Sequence, residues 1–444
     1  MESEVLADLL GMLIRNQCIN DGTPESGYEH RSVETLAGFF GEAGTVFEPH
    51  PGRQSVLYRV PGRNPAAPRL MLMGHLDVVP ADRTGWDHDP FGGRVHDRFV
   101  WGRGAVDMLN VTTAMAAVFN RYLSGEAPQP AGDLLFLAVA DEEAGARFGA
   151  KYLTEHHWGE IACEYVLNEV AYPAIRLTES PVFPVNVGEK GPFWRTLEST
   201  GTPGHGSQPY GTDNALVPLA RAMAGLAEAP APVLISDEWR EFVAGLGLPD
   251  EQATAWLDPE LIDQVVEDLA AESMGLARFV HACTHLTVSP TVLQSGVKSN
   301  VIPEAGHAEV DFRALPGQDG STVDDHLSKV LGADRDRIAV APVMDHQASS
   351  SAPNGPLWEA IVDAFGLLAG SRRVVPTLTP VTTDLRFFRE RGAVGYGVGW
   401  YDERIDFPEF LGMFHGRNER VSVESLHRTY QLLDEVVAGF LARV

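Results

Sequence analysis

Apolar residues recur at intervals of three and four near the start of the chain and form short, nearly continuous runs further along. The helical spacing at residues 5–14 and 36–40 predicts helices within the first 45 residues. Apolar runs that predict strands occupy residues 55–60, 70–73, 134–140 and 164–167, and helical patterns separate them at about 106–123 and 146–155. This alternation predicts an α/β fold, with a doubly wound, mostly parallel sheet and helices on both of its faces.

The pattern changes near residue 188 and returns near residue 350. Between these points, strand-like segments at 194–199 and 308–313 enclose helical segments at 214–226 and within 250–282. Helical patterns at 357–368 and 422–442 then resume the first style. We therefore predict an α/β domain made of residues 1–188 and 350–444, interrupted by an inserted α+β domain at residues 189–349.

Charge and composition narrow the function classes. The 444 residues include 34 Lys and Arg against 61 Asp and Glu, so the net charge is 34 − 61 = −27. Nucleic acids and anionic membrane surfaces are bound by clustered Lys and Arg, so neither is an expected partner. The three cysteines are too few and too scattered for a disulfide framework or a thiolate zinc site. The acidic first residues do not resemble a signal peptide and no apolar run approaches roughly 20 residues, so we expect a cytoplasmic location.

Polar residues with catalytic chemistry follow three of the predicted strands. The run at 70–73 leads into His75 and Asp77, and the run at 134–140 leads into Asp141, Glu142 and Glu143. Because ligands of open α/β sheets bind at the carboxyl ends of strands, we expect these groups to meet at one edge. Two further acids belong to this set by position: Glu169, after the run at 164–167, and Asp107, at the start of a helix.

Converging carboxylates without Lys or Arg repel one another, so this edge of the sheet requires cations. Imidazole together with carboxylate is the ligand set of a zinc-type site. One carboxylate shared by two metals, each with further ligands of this kind, is the layout of a two-metal hydrolase. For any one of these acids, a solvated strand end or a helix cap is the simpler explanation. For all of them at one edge, that explanation is poor.

The residues carry a family resemblance. The chain resembles the co-catalytic dizinc metallopeptidases that include acetylornithine deacetylase, succinyl-diaminopimelate desuccinylase, aminoacylase and carboxypeptidase S. The matching segments, in chain order, are Gly74-His75-Leu76-Asp77-Val78-Val79-Pro80, Trp101-Gly102-Arg103-Gly104-Ala105-Val106-Asp107-Met108, Asp141-Glu142-Glu143-Ala144-Gly145, Leu167-Asn168-Glu169, Gly204-His205-Gly206-Ser207, Ser299-Asn300-Val301-Ile302-Pro303, Asp311-Phe312-Arg313, Thr383-Asp384 and His415-Gly416-Arg417-Asn418-Glu419. Each segment alone is weak evidence, but the ordered set spans most of the chain.

The resemblance implies a role for each matching residue around two divalent metal ions. Asp107 bridges the two ions; His75 and Glu169 complete one site, and Glu143 and His415 complete the other. Zinc is the expected metal, and cobalt or manganese suits the same ligands. Glu142 is the general base toward the attacking water. Asp77 accepts the second imidazole N–H of His75 and so orients it.

The resemblance also implies that residues 189–349 form a lid and dimerisation domain of a homodimer. His205 then stabilises the oxyanion of the reaction, often in the site of the partner subunit. Asn300 and Arg313 hold the carboxylate of a small substrate. From chemistry alone, His205 is equally well explained as an ordinary loop histidine, and Arg313 as part of a surface ion pair, as by these functional roles.

Some features depart from the family pattern or compete with it. Leu109 and Asn110 replace the Lys and Gly that commonly follow the Asp-Met pair, and the segment at about 235–285 enlarges the insertion. His281 and His285 have the spacing of a helical metal site, but no acidic third ligand is near in sequence, so we interpret them as structural.

The predicted function is hydrolysis of the amide bond of an N-acyl amino acid or a short peptide by a metal-bridging water. Two alternatives stay open. One is a dipeptidase or carboxypeptidase instead of a deacylase, because both reactions use the same water and the same carboxylate contacts. The other is an inactive binding protein on the same fold, which the intact set of predicted ligands and base disfavours.

Overall fold

The computed structural model describes residues 1–444, which form fifteen helices and eighteen strands. The helices are α1 Ser3–Arg15, α2 His30–Phe40, α3 Leu109–Leu123, α4 Ala150–His156, α5 Trp158–Ile161, α6 Leu216–Glu228, α7 Asp237–Leu246, α8 Asp250–Trp256, α9 Ile262–Glu272, α10 Met274–Thr284, α11 Gly320–Leu331, α12 Gly355–Leu368, α13 Leu385–Arg389, α14 Phe407–Met413 and α15 Val423–Leu441. Two 3₁₀ turns occupy Glu142–Ala144 and Gly332–Arg337. None of the helices is long and apolar enough to cross a membrane.

The strands divide into one large sheet and three smaller ones. They are β1 Thr45–His50, β2 Arg53–Val60, β3 Leu70–His75, β4 Arg94–His96, β5 Phe99–Trp101, β6 Leu134–Val139, β7 Tyr165–Asn168, β8 Phe183–Glu189, β9 Gly191–Thr200, β10 Gly204–His205, β11 Thr287–Ser295, β12 Val301–Ile302, β13 Ala305–Ala314, β14 Ile338–Asp345, β15 Ser349–Ser350, β16 Val374–Thr379, β17 Val394–Gly397 and β18 Arg420–Ser422. The large sheet runs β1-β2-β6-β3-β7-β17-β8-β15, with β16 also paired to β8.

The middle of the large sheet is parallel and buried on both faces. Strand β3 pairs in parallel with β6 and β7, and β17 pairs in parallel with β7. Along β3, Leu70 and Leu72 belong to the core beneath α1, α3 and α15, whereas Met71 and Met73 belong to the core beneath α4 and α13. Two-sided burial explains why β3 and β6 are nearly continuous apolar runs. The predicted α/β class with a mostly parallel sheet is confirmed.

A second sheet, β11-β13-β9-β14, is antiparallel and packs against α6 and α11 around its own core. Beside it, β10 and β12 form a short two-stranded ribbon. Helices α7 to α10 lie in the same stretch of chain, but Trp239, Phe242 and Phe279 join the large core of the central layer. Packing therefore groups these helices with the central layer, and the division at residues 188 and 350 stays a prediction.

Helix α3 begins at Leu109, three residues later than predicted, because a tight turn precedes it. Gly104 in this turn has φ +89°, and a Cβ there would lie 2.6 Å from Cδ1 of Leu109. Such a left-handed backbone conformation favours glycine. The turn delivers Asp107 to the carboxyl edge of the large sheet.

Candidate metal centre

The polar ends of three neighbouring parallel strands lie at one edge of the large sheet. His75 ends β3, Glu169 directly follows β7, and Glu142 and Glu143 lie in the turn after β6. Because β3 lies between β6 and β7, the three strand ends are adjacent. Asp107, just before α3, lies at the same edge.

His75, Asp107 and Glu169 form one group of converging ligand atoms. Nε2 of His75 lies 3.4 Å from Oδ1 of Asp107 and 3.7 Å from Oε2 of Glu169. The His75 side chain is 1% exposed and that of Glu169 is 7% exposed. Imidazole and carboxylate at this spacing can hold a divalent cation.

Asp107, Glu143 and His415 form the second group. Nε2 of His415 lies 3.3 Å from Oδ2 of Asp107 and 3.1 Å from Oε2 of Glu143. Asp107 thus offers Oδ1 to one group and Oδ2 to the other, while the atoms within each group all lie within 4.8 Å of one another. A carboxylate shared in this way is the arrangement that a two-metal site requires.

Unusual protonation equilibria accompany this crowding. Burial and the nearby charge of Glu169 raise the pKa of Glu142 well above its usual value, and burial raises that of Glu169 to about 7. Hydrogen bonds to Asp107 and Glu143 raise the pKa of His415 to about 10. The raised pKa values show that these buried acids are difficult to ionise at the same time. Bound cations would supply the positive charge that lets them do so.

The residues present fit a pair of divalent cations. The two groups provide two imidazoles and three carboxylates, a donor set typical of zinc and similar metals. Oε1 of Glu143 is buried and has no hydrogen-bond partner in the protein. A buried carboxylate oxygen without a donor is costly unless a cation or water meets it.

Asp77 contacts this site differently from our prediction. Nδ1 of His75 lies 2.9 Å from the backbone carbonyl oxygen of Asp77 but 3.6 Å from its carboxylate. The carboxylate instead accepts backbone N–H bonds from Glu142 at 3.2 Å and Glu143 at 3.1 Å. Asp77 therefore orients the imidazole through its carbonyl and holds the turn that carries the two glutamates through its carboxylate.

A buried ion network that sequence reasoning missed supports the same turn. Arg53 is 1% exposed; it donates to both carboxylate oxygens of Glu29, at 2.9 Å each, and to Oδ1 of Asp141 at 2.7 Å. Asn20 donates to both Asp77 and Asp141, at 2.8 and 3.0 Å. These partners lie 24 to 121 residues apart, and no local pattern marks them.

Glu419 fixes the turn that carries Asp107. Its carboxylate is fully buried and accepts backbone N–H bonds from Gly104, Val106 and Asp107, together with a 2.7 Å bond from Arg103. The segment His415-Gly416-Arg417-Asn418-Glu419 was quoted for the resemblance, but only His415 was given a role there. Glu419 thus couples the chain around His415 to the chain around Asp107.

A cavity of about 690 Å³ opens above the two groups and extends to the second sheet. Glu142 lines it from the large sheet, and Arg313 and Trp194 line it from the second sheet. His205 and Asn300 do not line it. They lie together at the exposed β10–β12 ribbon: His205 ends β10, Asn300 directly precedes β12, and Gly206 N donates to the carbonyl of Asn300 at 2.8 Å.

His281 and His285 are stacked in parallel, with ring centroids 4.2 Å apart. Nε2 of His285 pairs with Asp263 at 2.9 Å. Their ligand atoms join none of the converging groups described above. This arrangement supports the structural interpretation, in which the pair holds α10 against α9.

Comparison with known families decides the classification. A family model described as Peptidase family M20/M25/M40 matches residues 71–439 of the chain. The protein belongs to this family. The match confirms the resemblance stated from the motifs, and members of this family include the metallopeptidases and aminoacylases.

Two curated relatives illustrate the range of the family. A carboxypeptidase S-like protein of Dictyostelium discoideum is 27% identical over 353 residues, 75% of this chain and 65% of that protein. The chain thus spans slightly less than two thirds of this relative. Aminoacylase-1 of Sus scrofa is 25% identical over 404 residues, 87% of this chain and 88% of the relative.

Two solved structures have the same fold. A family M20 metallo-carboxypeptidase from Sulfolobus solfataricus aligns with a TM-score of 0.72 at 16% identity, covering 100% of both chains. A Bacillus subtilis protein described as a dinuclear metal-binding peptidase of the M20 family aligns with a TM-score of 0.61 at 13% identity, also covering 100% of both. Together with the family match, these comparisons identify the chain as a metal-dependent hydrolase of a family with dinuclear metal binding.

Proposed function

We propose that this enzyme hydrolyses the amide bond of an N-acyl amino acid or a short peptide with a free carboxylate. The observation that carries the proposal is Asp107, which offers one oxygen to each of two groups of metal-ligand atoms beneath a cavity that Glu142 also lines. The names of the relatives, aminoacylase-1 and carboxypeptidase S-like protein, support an amide bond beside a carboxylate.

His75, Asp107 and Glu169 would hold one divalent cation, and Asp107, Glu143 and His415 the other. When bound, such a pair polarises the amide carbonyl and lowers the pKa of water toward neutrality. Zinc is our proposed metal, and cobalt or manganese suits the same donors.

Glu142 would remove a proton from the attacking water and deliver it to the leaving amine. Its side chain lines the cavity, and its backbone N–H is held by the carboxylate of Asp77. Burial raises the pKa of Glu142 above the usual value of a glutamate, which is the direction in which enzymes tune a carboxylate that acts as a general base.

His205 and Asn300 would act in the cavity of a second copy of the chain. Both lie on one exposed ribbon, outside the cavity of their own chain. Nδ1 of His205 lies 2.7 Å from the hydroxyl of Ser207, which leaves Nε2 free to meet an oxyanion. Residues 189–349 would then serve as the lid and dimerisation domain of a homodimer, in which Asn300 and Arg313 contact the substrate carboxylate.

Replacing His205 by alanine is expected to lower kcat by about 10²–10³-fold, because one oxyanion donor is lost. The KM should change much less, and the metal content should stay at the wild-type level. The control is His307→Ala, which removes a partly exposed imidazole from β13 of the second sheet, beside the ribbon that carries His205. Steady-state kinetics with both variants test this role, and an unchanged kcat in His205→Ala would refute it.

The proposed function is tested by mass-spectrometric detection of cleavage in a pool of N-acyl amino acids and dipeptides. Parallel reactions contain either added zinc or a chelator. We expect cleavage with zinc and its loss with chelator. The members that disappear separate a deacylase from a dipeptidase or carboxypeptidase, and absence of cleavage in both reactions counts against the proposal.

A further inference from the structure

Five acidic residues line the cavity above the metal-ligand groups, and only two arginines reach it. Its acids are Asp21, Asp107, Glu142, Glu143 and Glu169. The arginines are Arg313, from the second sheet, and Arg386, from α13 of the central layer. A substrate carboxylate entering this cavity would be repelled by the acids, so its position depends on which guanidinium is available.

The guanidinium of Arg313 already has a carboxylate partner. Its Nε lies 2.8 Å from Oδ1 of Asp311, and its Nη2 lies 3.0 Å from Oδ2 of the same residue. This bidentate pair occupies the edge of the guanidinium that recognises a carboxylate best. Arg313 must therefore leave Asp311 before it can offer the same fork to a substrate.

Arg386 is buried and has no such partner. It is 5% exposed, and the single hydrogen bond of its side chain runs from Nη1 to the carbonyl of Thr383 at 3.2 Å. Its Nε is buried and makes no hydrogen bond. No carboxylate oxygen lies within the 4.0 Å of an ion pair, and the nearest aromatic contact is the ring of Phe387, 4.4 Å from the guanidinium carbon.

A buried guanidinium without an anion is an unfavourable arrangement, because desolvation is not offset by a counter-charge. At Arg386 the uncommitted donors are Nε and Nη2, which form one edge of the planar group. Two parallel N–H donors on one edge match the two oxygens of a carboxylate. The buried carboxylate of Asp384 interacts with this guanidinium through its charge but makes neither a hydrogen bond nor an ion pair with it. The cavity supplies space for an anion that could bond to Nε and Nη2 directly.

We propose that Arg386 binds the carboxylate of the substrate through Nε and Nη2, deepening the proposed function on which this inference rests. Arg386 lies in the segment between β16 and β17, which belongs to the central layer. The metal-ligand groups belong to the same layer. The distance from carboxylate to scissile amide is then set within one rigid layer. Arg313 and the second sheet add their contacts afterwards, when the Asp311 pair opens.

The test compares two substrates of the zinc-loaded, full-length enzyme: N-acetylmethionine and its C-terminal carboxamide. For Arg386→Gln, we expect KM for the carboxylate substrate to rise by about 30-fold or more, since charged hydrogen bonds are lost. The KM for the carboxamide should change by less than about threefold, because a neutral amide gains little from a guanidinium. Arg386→Lys keeps the charge without the fork, and we expect an intermediate KM.

Arg313→Gln is the matched control, because it removes the other guanidinium of the cavity. We expect Arg313→Gln to raise KM for the carboxylate substrate, relative to the carboxamide, by less than Arg386→Gln does. Two results would overturn the assignment to Arg386: equal KM changes for both substrates in Arg386→Gln, or a selective rise in KM for the carboxylate substrate that occurs only in Arg313→Gln. If the wild-type enzyme cleaves no member of the N-acyl amino acid and dipeptide pool, the proposed function itself fails, which is a separate result.

Discussion

Replacing Glu142 by glutamine is expected to reduce kcat by about 10²–10⁴-fold while the chain keeps its bound metal ions. Glu142 lines the reaction cavity but belongs to neither group of converging ligand atoms. Glutamine preserves the shape of the side chain and cannot accept the proton. The variant should therefore bind substrate and metal normally and fail only in the chemical step.

Glu143→Gln is the matched control, because the neighbouring side chain differs in its geometry. Oε2 of Glu143 lies 3.1 Å from Nε2 of His415, within the second ligand group. We expect this variant to lose metal as well as activity. Kinetics together with metal analysis separate the two roles, and loss of metal from Glu142→Gln would make Glu142 a ligand and contradict its assignment as the base.

Replacing Arg53 by methionine is expected to lower the free energy of unfolding by about 3–5 kcal/mol. Arg53 is the counter-charge of Glu29 and Asp141, and all three side chains are almost completely buried. Its removal leaves two carboxylates in the interior without a cation. Burial and repulsion from Asp77 already raise the pKa of Glu29 to about 7, which shows how closely these charges interact.

Urea unfolding of the metal-loaded protein measures this effect. Arg59→Met is the control on the same strand, since Arg59 pairs with Asp133 at 2.7 Å while its side chain is 54% exposed. An exposed pair contributes about 1 kcal/mol or less. The double variant Arg53→Met with Glu29→Gln should recover part of the lost free energy of unfolding. Similar small losses in Arg53→Met and in the control Arg59→Met would show that the buried network does not stabilise the turn.

The sequence was most informative where strands end. Burial on both faces makes β3 and β6 recognisable as apolar runs in the sequence. Because His75 and residues 141–143 come at the carboxyl ends of these runs, they were expected at one edge of the sheet. Asp107 was predicted at the same edge, and the structure brings its two oxygens to two ligand groups. The roles of these residues stay predictions until the variants are measured.

The supporting contacts could not be predicted, because they join distant parts of the chain. Arg53 and Asp141 are 88 residues apart, and Glu419 meets the backbone near Asp107 from more than 300 residues away. Arg386 carries no motif of its own, and only its burial without a partner reveals it. Likewise, helices α7 to α10 join the large core although chain order suggested an enlarged insertion.

The central claim is that two groups of ligands around Asp107 form one dinuclear hydrolytic site. The most direct measurement strips the protein of metal, titrates it with zinc, and follows bound zinc and cleavage of N-acyl amino acids in the same samples. The account predicts two zinc ions per chain and cleavage that requires them. Undiminished cleavage by the stripped protein, or saturation without a second bound ion, would contradict it.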